Sequence, residues 1–369
     1  MRSVFFPAWR ALATVDTAAL GQNYHLLLTQ AQKINPNAQL MAVVKANAYG
    51  HGAARVVSAL LERGCRRFAV ATLQEALEVR HLCDGTEILI FGYTPPAKLP
   101  LLAKFQLTQS VFSREYGRAL AHVAKTLSCR INVHLKLDGG LCRAGLDPDP
   151  SSLIRFCRQI DGGLHVTGLF THFPTADTDP DATRRALDRF LQCKKALDGL
   201  GHPLFCHTAA SAAALTLSES VLDGIRPGLS LYGIPPVSTP LSLRPVMALY
   251  APVVQLRRVP AGTSVGYGGD FVTKRPTLIG TLPIGYADGV FRRLSGLCVT
   301  LLHGGKRFSA PIVGRISMDA LTVDLTDTPA RVGDSVCLWR NAARPAAHAG
   351  TVPYEILTAL SPRVRRVTK

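Results

Sequence analysis

A (β/α)8 barrel of the TIM type, followed by a mostly antiparallel β domain, is the architecture that the sequence predicts. Three observations predict it. Apolar, β-rich runs alternate with segments of helical period about eight times between residues 40 and 232. Prominent polar residues fall just past the ends of those runs, on the rim where a parallel barrel gathers functional groups. A proline-rich passage, GIPPVSTP over 233–240 and on to Pro245, then breaks the alternation and reads as a linker. The expected domains are therefore 1–240 and 241–369.

The first run, LMAVVKA over 40–46, has no polar alternation through Val44, so it should be a strand covered on both faces. It delivers Lys45 into a small, glycine-punctuated turn, ANAYGHG, over 46–52. A lysine at the desolvated end of a strand has a lowered pKa and can serve as an amine nucleophile or base. The bland reading is a stem lying along the strand with its head in water. Further strands are expected at 67–72, 87–93, 107–112, 130–138, 165–173, 204–208 and 225–232. Helical periods fall at 20–32, 53–63, 73–82, 114–127, 151–159 and 183–197. Beyond the linker come short β-like runs at 247–259, 278–284, 298–302, 311–316, 321–325 and 335–339, separated by glycine and proline turns. Residues 9–15 could pair with either domain.

Composition narrows the classes. No apolar stretch approaches the roughly 18 residues of a membrane span. The opening MRSVFFP is too short an apolar segment for a signal peptide, so a cytoplasmic protein is expected. Nine cysteines without a C-x-x-C pair indicate neither a disulfide framework nor a metal site, and most should be buried thiols. A net charge of +17 raises nucleic-acid binding, but the basic residues are dispersed except over 363–369. Attraction of small anions is the favoured consequence, and no nucleic-acid partner is expected.

The segment VKANAYGHG over 44–52 resembles the cofactor-lysine motif of the alanine racemases. In that family the lysine forms a Schiff base with pyridoxal 5'-phosphate (PLP) and the tyrosine contacts the phosphate, roles that fall here on Lys45 and Tyr49. The resemblance continues in order along the chain. VHLKLDGGLCRAG over 133–145 matches the stretch whose lysine is carbamylated and whose arginine reaches the substrate carboxylate, which implies Lys136 and Arg143. Taken alone, those two cations read as solvated loop charges. GLFTHF over 168–173 matches the histidine that packs on the cofactor ring, His172 here, although a lone strand-end histidine is more often a satisfied core residue.

HTAASA over 207–212 supplies Ser211 to the phosphate but has Ala210 where the family has asparagine. Gly139 likewise stands where the family commonly has threonine. IRPGLSLYG over 225–233 matches the pyridine-nitrogen partner, Arg226, and the phosphate-binding amides of Gly228 and Leu229. An arginine, with a pKa above about 12, donates to the ring nitrogen but does not readily pass it a proton. That leaves the cofactor a weaker electron sink than an aspartate partner would, which suits racemisation better than transamination or elimination.

After the linker, SVGYG over 264–268 matches the segment of the second catalytic base, Tyr267, which the family places across a homodimer interface. A tyrosine between glycines is otherwise usually a turn residue. Working as a base requires cations to lower its pKa from about 10, and His172 and Arg226 are the expected sources. PIGYADGVFRR over 283–293 resembles the segment lining the way into the site. VGRISMD over 313–319 matches the loop whose Met318 amide meets the substrate, and TVPYE over 351–355 carries the last phosphate tyrosine, Tyr354.

The resemblance thus implies a PLP-dependent homodimeric racemase that interconverts L- and D-alanine with Lys45 and Tyr267 on opposite faces, supplying D-alanine for peptidoglycan. Alternatives are a racemase of different specificity, for serine, lysine or arginine, since pocket volume discriminates by only about 1–3 kcal/mol per methylene. A decarboxylase on a similar plan fits less well, because Tyr267 and Tyr354 match racemase motifs. A non-enzymatic PLP carrier would lack the region that contains Tyr267.

Overall fold

The computed structural model describes residues 9–369 apart from residue 202, so the opening MRSVFFP lies outside the described residues. The chain divides into two compact units, one of Ala18–Ala48 with Ala53–Arg244, the other of the described part of Met1–Thr17 with Tyr49–Gly52 and Pro245–Lys369.

Among the described residues the first unit carries eight parallel strands: β1 Gln39–Val43, β2 Arg67–Val70, β3 Glu87–Ile90, β4 Thr108–Val111, β5 Ile131–Lys136, β6 Leu164–Phe170, β7 Phe205–His207 and β8 Gly224–Ile225. Each pairs with its neighbour in chain order, and β8 returns to β1 through Gln39↔Gly224 and Leu40↔Ile225. Among the described residues β7 and β8 share no ladder but one bridge, Ala210↔Arg226, with the Arg226 N–H on the Ala209 carbonyl at 2.8 Å and the Asp223 N–H on the Cys206 carbonyl at 3.0 Å. Helices follow the strands as the periodicities require. Ala53–Glu62, for example, buries Val56, Val57 and Leu60 on one stripe. The barrel expected from sequence is present, with its strands buried on both faces.

Three details differ. The expected strand over 225–232 is extended only at β8, and the rest is a turn through Leu229–Tyr232 that buries apolar residues without an extended backbone. Lys45 is not strand but the first residue of a left-handed turn. Two short helices, Leu99–Lys104 and Ser211–Thr216, carry too little periodicity to be read.

The second unit is a mostly antiparallel sheet, with strands ordered Gln255–Val259, Thr277–Leu282, Leu321–Asp324, Lys306–Val313, Cys298–His303, Ser335–Trp339, Met247–Pro252, Leu12–Val15 and Arg365–Thr368. Leu12–Val15 joins it, antiparallel to Met247–Pro252 and parallel to Arg365–Thr368. The basic cluster over 363–369 thus contains an edge strand, and two of its arginines are engaged. Arg366 donates to the Gly50, Leu360, Ser361 and Val364 carbonyls, and Arg363 meets Asp319 and Asp288.

Asp288 is fully buried and accepts from Arg10 at 2.6 and 2.8 Å and from the Gly285 N–H at 2.9 Å. That knot holds the Tyr286–Asp288 turn, whose Tyr286 and Ala287 N–H groups bond Ser317 and Met318 carbonyls at 3.0 Å each. Asp288→Ala leaves a buried donor and a half-buried guanidinium without their acceptor. It should cost about 3 kcal/mol, seen as a lower thermal midpoint.

All nine cysteines are free, and six of them are buried, matching the expectation that most are buried thiols. Among the described residues no helix is long and apolar enough to cross a membrane, and no cluster of potential metal ligands occurs.

Candidate active site

Lys45 opens a turn in which Ala46, Asn47, Ala48 and Tyr49 all have φ between 52 and 55°. L-residues avoid this region at a cost of roughly 1–2 kcal/mol each, and runs of it persist only where the surroundings impose them. The turn is fastened by the Ala48 N–H on the Val44 carbonyl at 2.8 Å and by the Ala53 N–H on Asn47 Oδ1 at 2.7 Å. The Ala46 N–H donates to Glu75 Oε1 at 2.7 Å. Glycines then continue the left-handed path at Gly50 and Gly52.

Three of the sequence-predicted cations, with His172, gather with Lys45 at the strand ends of the barrel unit. Burial lowers the Lys45 pKa, Arg143 lowers it further, and Glu75 opposes both. Lys136, at the end of β5, is lowered by burial and then by Arg143 and Arg226, with Asp138 opposing. Burial and the charges of Arg226, Arg143, Lys136 and Lys45 push His172, just past β6, down to about 3. It is therefore a neutral imidazole at working pH and not the cation expected for Tyr267, which leaves Arg226 as the charged one of the two expected sources. Asp138 is occupied by the N–H groups of Gly140, Leu141 and Cys142 at 3.1–3.3 Å, which shape the loop leading to Arg143. Gly139 has a steric reason: a Cβ there would lie 2.6 Å from the His172 carbonyl oxygen and 2.8 Å from Thr171 Oγ1. The loop approaches the end of β6 more closely than a threonine permits.

Arg226 is almost wholly buried, and burial pushes its pKa down to about 9. Its guanidinium donates to the carbonyls of His207, Thr171 (2.6 Å) and Thr208 (3.1 Å), and one nitrogen lies 2.9 Å from His207 Nδ1. His207 Nε2 in turn lies 2.8 Å from His134 Nδ1. Beyond it Glu87 faces His134 Nε2 at 3.2 Å, off the hydrogen-bonding direction, and pairs with Arg67. Burial holds both imidazoles neutral, with His134 down to about 3. A polar chain therefore runs through the barrel interior to Arg226.

Next to it, Ser211 Oγ accepts the N–H groups of Gly228 (3.1 Å) and Ser230 (3.3 Å). A hydroxyl that accepts twice keeps its proton to donate. Ser230, beside Leu229, is fully buried with no partner for its own hydroxyl. Ala210 is the N-cap of Ser211–Thr216 and supplies no side-chain acceptor, which is the local consequence of the missing asparagine.

The remaining predicted residues lie in the other unit. Tyr49 and Tyr354 have ring centroids 5.9 Å apart, and burial, with Tyr354 adding, pushes the Tyr49 phenol up. Tyr267 stands in a small ribbon, Ser264–Val265 paired with Phe271–Val272, and is 72% exposed. Met318 is 53% exposed on its loop. Glu75, His134 and His207 are the site groups that went unassigned from sequence. His207 opens the quoted HTAASA segment, and Thr72-x-x-Glu75 has the spacing of a helix-capping box.

The donor set suits a polyanionic ligand with an aldehyde. The rim holds Lys45, Lys136, Arg143 and Arg226 against Glu75 and Asp138, and a serine hydroxyl beside backbone N–H groups offers anion donors. A partly desolvated amine is available for condensation.

Comparison with known proteins agrees. The family model for the alanine racemase N-terminal domain matches residues 15–236, and that for the alanine racemase C-terminal domain matches 246–368. The alanine racemase of Desulfovibrio desulfuricans is 37% identical over 98% of each chain, and alanine racemase 1 of Caldanaerobacter subterraneus is 38% identical over 90% of this chain and 89% of its own. Among solved structures, alanine racemase from D-cycloserine-producing Streptomyces lavendulae superposes with a TM-score of 0.90 at 34% identity, covering 98% of both chains. The biosynthetic alanine racemase of Pseudomonas aeruginosa gives 0.84 at 38% identity, covering 98% of this chain and 99% of its own. With both of its units matched along nearly their whole length, the chain belongs to the alanine racemase family.

Proposed function

We propose that this enzyme interconverts L- and D-alanine with PLP, using Lys45 and Tyr267 as bases on opposite faces of the substrate. The observation that carries the proposal is the crowding of cations around Lys45, which favours a free amine and an anionic ligand beside it. When bound, PLP supplies an electron sink that acidifies the α-proton of an amino acid joined to it.

Residues 1–240 hold the cofactor and residues 241–369 bring the second base. Lys45 would hold PLP through its amine and, freed when the substrate's amine takes its place, would remove or return the α-proton on one face. Ser211, Tyr49, Tyr354 and the Gly228 and Leu229 amides hold the phosphate. Arg226, kept charged, would donate to the ring nitrogen, and neutral His172 would face the ring. Arg143 and the Met318 amide orient the substrate carboxylate. Lys136 would work as its carbamate, formed when its neutral amine adds dissolved CO2 and releases a proton: an anion there relieves the repulsion from Arg143, Arg226 and Lys45 and offers Arg143 a bidentate partner.

The chain acts as a homodimer, with Tyr267 contributed by the second copy. The exposure of Tyr267, Met318, Val352, Tyr354 and Tyr286 within one unit supports a surface that a partner covers. The absence of disulfides among nine cysteines fits the reducing cytoplasm, where D-alanine serves peptidoglycan synthesis.

The test is incubation with PLP and L-alanine in heavy water, with α-deuteration and chirality measured together. Deuterated D-alanine is expected. Deuterium without inversion would mean that one base works alone, against Tyr267 or dimer assembly. If alanine is inert while PLP is bound, the same assay on serine, lysine and arginine distinguishes another specificity from a carrier.

A further inference from the structure

The turn after Lys45 is held by a side chain to which no role has been given. Glu75 lies in the first turn of the helix Leu73–Arg80 and uses its two carboxylate oxygens differently. Oε2 accepts the N–H groups of Ala71 at 2.7 Å and Thr72 at 3.2 Å, while Thr72 Oγ1 accepts the Glu75 N–H at 3.2 Å. That is the capping box that starts its own helix. Oε1 contributes nothing to the helix. It reaches 29 positions back to the N–H of Ala46, the residue directly after Lys45.

The chain needs a restraint there. Ala46, Asn47 and Ala48 form a left-handed run, and the turn's own bonds fasten its later part, at Ala48 and Asn47. The Ala46 N–H marks the point where β1 gives way to the turn, and a carboxylate makes the stronger, charge-assisted kind of bond to it.

We propose that Glu75 is a positioning residue for Lys45, its Oε1 bond to the Ala46 N–H fixing the rotation of the backbone at Lys45 and hence the direction in which the amine leaves the barrel rim. This rests on the reading of Lys45 as the functional amine. The same carboxylate also sets the charge balance at that amine. The groups facing Lys45 are Arg143, Lys136, His172 and Glu75, and of these Glu75 favours the ammonium form.

Two variants of the one helix cap separate positioning from capping. Glu75→Gln keeps an oxygen for the capping box but turns an NH2 toward Ala46 and removes the charge. Thr72→Ala removes the other half of the box and leaves the Ala46 bond intact. In the cofactor-free full chain, labelling of Lys45 by an amine-reactive ester is followed over pH by peptide mass. In the PLP-loaded enzyme, kcat and KM for L-alanine are measured.

For Glu75→Gln the labelling midpoint should move to lower pH, because the group that favoured the ammonium is gone. Its kcat should fall roughly tenfold to a hundredfold through misorientation, with KM changing by less than about threefold. Thr72→Ala should lower the melting temperature and leave both readouts unchanged. Unaltered labelling with kcat within about twofold of the parent in Glu75→Gln overturns the proposal, as does reproduction of the whole effect by Thr72→Ala. If Glu75→Gln does not fold, Glu75→Asp, too short to span both sets of N–H groups, carries the same measurements. Failure of the unsubstituted chain to trap PLP on Lys45 with borohydride would instead sink the underlying assignment of Lys45.

Discussion

Lys45→Ala is expected to eliminate the PLP adduct that borohydride fixes and to lower alanine racemisation by at least about a thousandfold. Both losses have one cause, removal of the amine at the rim where β1 ends. The variant should fold, and the electrostatics give the sign. Burial and Arg143 lower the Lys45 pKa in the folded chain relative to the unfolded one, so its protonated form opposes folding wherever pH lies below the unfolded value. Deleting it removes that penalty. The melting temperature of the cofactor-free chain at neutral pH should therefore not fall, and a dead but well-folded protein is the signature. An adduct that persists in Lys45→Ala would move the cofactor lysine elsewhere.

Tyr267→Phe should depress racemisation by about 10²- to 10⁴-fold while PLP stays bound. The substitution removes one oxygen from a side chain that is 72% exposed and leaves its ring, so stability should hardly change. The informative readout is stereochemical. With Lys45 intact, α-deuteration of the enantiomer that presents its proton to Lys45 should persist, and inversion should be lost. Full activity in Tyr267→Phe would falsify the two-base reading.

The barrel strands could be read because a parallel sheet buried on both faces leaves continuous apolar runs, as LMAVV does over 40–44. The same logic misreads 225–232. Leu229, Leu231 and Tyr232 are buried, but in a turn, and apolar content reports burial rather than an extended backbone. Site residues could be read where a motif carries them, as with Arg226 or Ser211. Their surroundings could not. Nothing in an alanine announces a left-handed conformation, so the geometry at Ala46 and Ala48 was invisible. Glu75 signals a helix cap in sequence, yet its second bond depends on tertiary folding. The helices Ala343–Ala349 and Pro353–Thr358 go unread in a region otherwise read as strands, and the second carries Tyr354.

The thin seam at β8 has a thermodynamic consequence. Two residues of ladder to β1 and one bridge to β7 resist separation less than the six-residue pairing of β5 with β6, so local opening of the barrel costs less there than between β5 and β6. The bridge is made by Arg226, whose guanidinium also spans to Thr171, His207 and Thr208 from across the gap. One side chain is at once the clasp of the barrel and a wall of its site. Any ligand that engages Arg226 only in the closed form draws on the same equilibrium, so occupancy and breathing are linked, and each holds the other in place.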